Sequence, residues 1–141
     1  MNNRFFISYS QDDKKIVHKV ANALIIKKFK IWIDRDNVHV GTDENKQIRQ
    51  GIESSKAFIC FISESYCKSE ACIKELDLAL KIKKDIFLIM LVQNVTGGVK
   101  DIINNSMTMF NAYEDEMKFE PWSQRLFNNL VEKLTILLTK V

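Results

Sequence analysis

A chain of 141 residues with 46% hydrophobic and 28% charged side chains is sized for a single domain, 1–141, with one buried core. Its net charge of +3 is modest, and the lysines of "DDKKIVHK", "IIKKFK" and "KIKK" are scattered among acids, which argues against the concentrated basic face that nucleic-acid binding needs. The longest apolar run, Ile86 to Val92, is seven residues, against the roughly 20 of a membrane span, and the start "MNNRFF" lacks the apolar segment of a secretory signal, so a cytoplasmic domain is expected.

In chain order, "RFFISYS" (4–10) is an apolar run rich in β-formers that ends in small polar residues, a buried strand entering a loop. "DDKKIVHKVANALIIKKF" carries Ile16, Val20 and Leu24 at helical spacing, with Asp12 and Asp13 placed to cap a first helix and to favour its positive end. "KIWID" (30–34) predicts a second strand, and the polar stretch "RDNVHVGTDEN" a loop. "KQIRQGIESS" predicts a short helix, and "KAFICFIS" (56–63) a third strand covered on both faces. A helix opens in "SEACIKELDLAL" (69–80), and "DIFLIMLV" (85–92) is a fourth strand. A short helix at 99–104 and an edge strand around 107–110 follow. "PWSQRLFNNLVEKLTILLTKV" closes the chain as a helix, with Pro121 in its first turn and Leu126, Leu130, Leu134 and Leu137 as its apolar stripe.

Strands alternating with helices imply parallel strands joined by crossovers. The expected class is α/β, a flavodoxin-like three-layer sandwich with a central parallel sheet of about five strands and helices on both faces. In such sheets functional groups collect beyond the carboxyl ends of the strands. The loops after the first three strands, "SYSQDD", "DRDNVHVGTDEN" and "SESYCKSE", therefore rim one crevice. At about 100° per residue, Glu75 falls inside the apolar arc of its helix, between Leu78 and Ile82 on one side and Ala79, Cys72 and Leu76 on the other. Only Lys83 also intrudes there. A carboxylate on that arc, one to two turns into the helix leaving the third loop, points to the crevice floor.

The succession "FISYSQDD", "IWID", "VGTDENKQIRQGIESS" and "FICFISESYCKSEACIKELDLAL" resembles the ordered boxes of a TIR (Toll/interleukin-1 receptor) domain over residues 4–92, closest in flavour to microbial-type and invertebrate members. That resemblance implies one of two functions. Many TIR domains cleave the nicotinamide–ribose bond of NAD⁺ to give nicotinamide and ADP-ribose or a cyclic variant; others are assembly modules that recruit further TIR domains. In the enzymes the catalytic carboxylate belongs to a WxxxE motif on the helix after the third strand, and its glutamate falls on Glu75. The motif's tryptophan is Ala71 here, and Tyr66, Tyr9 or Phe61 would have to replace its aromatic wall. Tyr9 and Ser10 match positions beside the ribose and phosphates, and Asp34 matches one bordering the pocket, though each also suits an ordinary strand end or turn. Trp32 reads as core or as ligand platform. The loop from Arg35 to Asn45 resembles the loop that docks against a neighbouring TIR domain, with Gly41 supplying backbone freedom, so homo-oligomers or filaments are expected. NAD⁺ would be a substrate, with no cofactor and no metal.

The chemistry is consistent with one carboxylate. Nicotinamide leaves neutral and needs no acid, while the sugar acquires oxocarbenium character that a nearby, partly desolvated carboxylate stabilises. Other chemistries lack their residues. Cys60, Cys67 and Cys72 form no CxxC pair and read as reduced thiols. The four glycines contain no GxGxxG or GxxxxGK[ST]. A receiver-type phosphoacceptor would need paired acids where "ISYS" stands. His18, on a predicted surface helix, and His39, in a loop, give little support for a nucleophilic triad.

Overall fold

The structure, a computed structural model, describes residues 4–33, 44–113 and 124–139. Five strands, β1 (Arg4–Ser8), β2 (Lys30–Ile33), β3 (Ala57–Ile62), β4 (Asp85–Met90) and β5 (Thr108–Asn111), form one sheet in the order β2-β1-β3-β4-β5. Every pairing is parallel. The helices are α1 (Lys14–Ile26), α2 (Glu44–Ser54), α3 (Glu64–Lys68), α4 (Glu70–Lys81), α5 (Gly97–Ile102) and α6 (Gln124–Thr139). This is the flavodoxin-like α/β arrangement that alternating strand and helix patterns predict.

The register explains why the inner strands are apolar throughout. Phe6 pairs with Trp32 on one side and Phe58 on the other, so side chains at matching positions of neighbouring strands share a face. Phe5, Ile7, Ile59, Phe61, Phe87 and Ile89 face α1 and α6, in a core completed by Leu24, Leu130 and Leu134. Phe6, Phe58, Cys60, Ile62, Leu88 and Met90 face the opposite layer, with Ile52 of α2, Tyr66 of α3, Leu76 of α4 and Val99 of α5. On that second face Trp32, Phe6 and Phe58 stack across three strands, at centroid separations of 4.8 and 5.5 Å. Gly51 of α2 lies against the end of this stack: a Cβ there would come within 2.8 Å of the Trp32 indole.

Three local expectations are corrected. Asp12 and Asp13 do not cap the first helix. A 3₁₀ turn, Gln11–Asp13, precedes α1, and Asp13 at the N-cap makes no side-chain capping bond. Both carboxylates instead tie the turn after β1 to the segment after β3: Ser63 Oγ donates to Asp13 Oδ2 at 2.5 Å and Ser65 Oγ to Asp12 Oδ2 at 2.8 Å. Lys83 is not on the apolar face of α4, because the helix ends at Lys81 and Lys83 takes a left-handed φ of 61°. Lys28, φ 76°, ends α1 the same way, with the Lys28 and Phe29 amides returning to the carbonyls of Ile25 and Leu24. The segment "SESYCKSE" is not simply a loop, since it holds the single-turn helix α3. Ser63 caps α3 by accepting from the Tyr66 amide, and Ser69 caps α4 by accepting from the Cys72 amide.

Candidate active site

At the carboxyl end of β1, beside β2, a cleft of about 70 Å³ is lined by Phe6, Tyr9, Ser10, Trp32, Ile48, Ser69, Ala71 and Glu75, among others. Three elements supply its walls: the end of β1 and its 3₁₀ turn, the start of α4, and α2 with the edge strand β2. A larger groove between α2 and α4, about 740 Å³, shares Ile48, Ala71 and Glu75 with the cleft. Glu75 therefore stands where the two meet. Its half-buried position follows from its place on the apolar arc of α4, and a buried polar partner meets it there.

That partner is Ser8, the last residue of β1, which is 1% exposed and faces the same layer as Phe6. Its Oγ donates to Glu75 Oε1 at 2.7 Å and lies 2.8 Å from the phenol oxygen of Tyr66, which is itself 3.2 Å from the Cys72 carbonyl. The Cys72 thiol donates to the Tyr9 carbonyl at 3.4 Å. Burial pushes the Tyr66 phenol and the Cys60 thiol well above their usual ranges, with the nearby ionisable groups Cys72 and Glu75 acting in the same direction. Both stay protonated.

Of the residues singled out in the sequence, Tyr9, Ser10, Ala71 and Glu75 come together around the cleft. Asp34, Gly41 and His39 lie outside the described residues, as does the loop from Arg35 as far as Asp43. Among the aromatic replacements for the absent tryptophan, Tyr66 is buried beneath the cleft and Phe61 is buried in the core facing α1 and α6. Tyr9 borders the cleft, but its side chain belongs to that same core, with its hydroxyl 3.1 Å from His18 Nε2 on α1. His18 is thus half-buried against Tyr9 rather than part of a nucleophilic centre. Trp32 is both core and wall, 5% exposed and lining the cleft. Ala71 is exposed, and its methyl leaves the rim between cleft and groove open. Ser8 escaped the sequence reading, although period-two counting from Phe6 in a strand buried on both faces puts it toward α4; nothing in the sequence marked the Tyr66 hydroxyl.

The order 2-1-3-4-5, with functional groups past the carboxyl ends of β1 and β3, defines a flavodoxin-like domain with an acidic, aromatic-walled cleft. The chain belongs to the TIR domain family, whose sequence model matches residues 5–127. It is 36% identical over 66 residues to a probable 2′ cyclic ADP-D-ribose synthase, TcpO, of Methanobrevibacter olleyae, a stretch covering 46% of this chain and 19% of that protein. It is 35% identical over 65 residues to the 2′ cyclic ADP-D-ribose synthase BtTIR of Bacteroides thetaiotaomicron, covering 45% of this chain and 23% of the relative. The matched stretches thus span about a fifth of each curated relative. In fold, the chain is similar to the crystal structure of the TIR domain of the Toll-related receptor TRR-2 from Hydra magnipapillata, with a TM-score of 0.72 at 17% identity over 93% of this chain and 97% of that one.

Proposed function

We propose that this domain cleaves NAD⁺ between nicotinamide and ribose, with Glu75 as the catalytic carboxylate. The observation that carries this reading is the Glu75 carboxylate itself, held in the cleft by the Ser8 hydroxyl beside Trp32, with no second charged side chain among the described residues lining the cleft. A cationic pyridinium is attracted both by that carboxylate and by an aromatic neighbour. The C1′–N bond breaks with both electrons going to the ring nitrogen, so nicotinamide departs neutral. Glu75 stabilises the positive charge left on the ribose and holds its hydroxyls. Water then attacks C1′ and loses a proton, giving ADP-ribose; in a cyclic product a ribose hydroxyl of the adenosine half attacks instead. The names of the two curated relatives support the cyclic outcome.

Self-association through the loop from Arg35 to Asn45 completes the proposal, and it makes turnover rise faster than linearly with protein concentration. A second reading, an assembly module without turnover, is favoured by one observation: Ala71 stands where the enzymes' motif has tryptophan. The two separate in a single experiment, NAD⁺ consumption against protein concentration with chromatographic identification of products and Glu75→Gln as control. Supralinear turnover that disappears in the variant supports the enzyme. Oligomers that consume no NAD⁺ overturn it in favour of assembly alone.

A further inference from the structure

We propose that Tyr66 and Ser8 are positioning residues for Glu75, a two-hydroxyl relay in which the phenol orients the serine hydroxyl so that its proton is given to the carboxylate. This rests on the reading of Glu75 as the catalytic group. The proton count leads to it. Ser8 has one hydroxyl hydrogen, and of its two neighbours the carboxylate is the stronger acceptor and the closer, at 2.7 Å. Its contact with Tyr66, 2.8 Å, must then be made with the phenol's proton. Tyr66 also has one hydrogen, which it donates to the Cys72 carbonyl at 3.2 Å and shares with the closer serine oxygen at 2.8 Å.

The donor at the head of the relay is well held. Tyr66 is 0% exposed, and its amide is tied to Ser63, so the ring has no room to turn away. Its phenol, kept protonated by burial, remains a donor across the working pH range. Ser8 is closed off from water, so no solvent molecule takes over its role. Two buried hydroxyls spent on one carboxylate at a cleft do what electrostatic preorganisation requires: the orientation of Oε1 is set before substrate arrives.

The test uses the intact chain, with Tyr66→Phe, Ser8→Ala and Ser8→Thr compared with the parent. Two readouts are taken: the acid limb of the kcat–pH profile for NAD⁺ turnover, and the titration of the Glu75 carboxylate by ¹³C NMR. Lys46 and Arg49 of α2, Glu70, Cys72, Lys74, Asp77 and Lys81 of α4, Cys60 of β3 and Tyr66 of α3 are common to the parent and the serine variants, so a moved limb reports the hydrogen bond. Removing a hydroxyl donor from a carboxylate should raise both the limb and the titration midpoint by about one pH unit in Ser8→Ala. Tyr66→Phe should give a smaller shift in the same direction, with kcat reduced several-fold and KM unchanged, and Ser8→Thr should restore the parent midpoint. Folded Tyr66→Phe and Ser8→Ala variants with the parent's limb, midpoint and kcat would overturn the relay while leaving the enzymatic reading intact. A parent that turns over no NAD⁺, yet whose Glu75 midpoint rises in Ser8→Ala, overturns the enzymatic reading and leaves the relay standing.

Discussion

Replacing Gly51 by alanine opposes two effects of known size. Gly51 is inside α2, where alanine is favoured over glycine by about 1 kcal/mol through helix propensity. The new methyl, however, would lie 2.8 Å from Trp32 Cε2 and 3.1 Å from both Cδ2 and Cζ2, three ring atoms inside contact distance at once. Overpacking of that kind costs about 1–3 kcal/mol, and the indole cannot retreat because Phe6 is stacked behind it at 4.8 Å. The upper part of the range applies, and the net effect is a destabilisation of about 1–2 kcal/mol, or about 3–7 °C in Tm. Urea and thermal unfolding followed by far-ultraviolet circular dichroism measure it. Gly98→Ala serves as control, since a Cβ there meets Ile73 at an ordinary 3.4 Å and should be neutral or stabilising. If Gly51→Ala is as stable as Gly98→Ala, Trp32 is free to shift and is not a fixed wall of the cleft.

Lys28→Gly and Lys83→Gly each remove a left-handed side-chain conformation and should each add about 0.5–1 kcal/mol of stability in urea denaturation. Burial holds the Asp13 carboxyl above its ordinary range, with the Ser63 hydrogen bond only partly opposing it, so the associated stability is present below the unfolded pKa and is lost as pH rises through the folded one. Asp13→Asn keeps an acceptor for Ser63 and cannot ionise; its stability advantage over the parent should be near zero below about pH 4 and grow to a plateau toward neutrality. Ala71→Trp should add an aromatic contact at the open rim and raise kcat/KM for NAD⁺ by about 2- to 10-fold, read from initial rates.

The sheet was legible because its strands carry a signal that tertiary packing reinforces: all six residues of β3 are buried, as "AFICFI" suggests. Glu75 was legible for the opposite reason, as a residue that breaks the pattern of its helix. Where the sequence reading failed, the partner was distant. Asp13 looks like a helix cap from its neighbours alone, but the hydroxyl it takes belongs to Ser63, fifty residues away. Ser8 likewise reads as the polar end of a strand until α4 is set against it. Lys83 fits a helical wheel drawn one turn too far, and nothing in "LALKIKK" marks a C-terminus that is made without glycine. Ala71 is visible in the sequence as a departure from a motif, whereas the joining of cleft and groove beside it is a property of α2 and α4 together.

The stack that ends at Trp32 also gives the domain an optical handle. An indole 5% exposed and seated on Phe6 emits from apolar surroundings, and Trp122 is the chain's one other tryptophan. With Trp122 changed to phenylalanine, the fluorescence of the protein would come from a single chromophore in the wall of the cleft. A planar heterocycle entering beside it would quench that emission on contact, so occupancy could be followed in real time without a label and without waiting for a product.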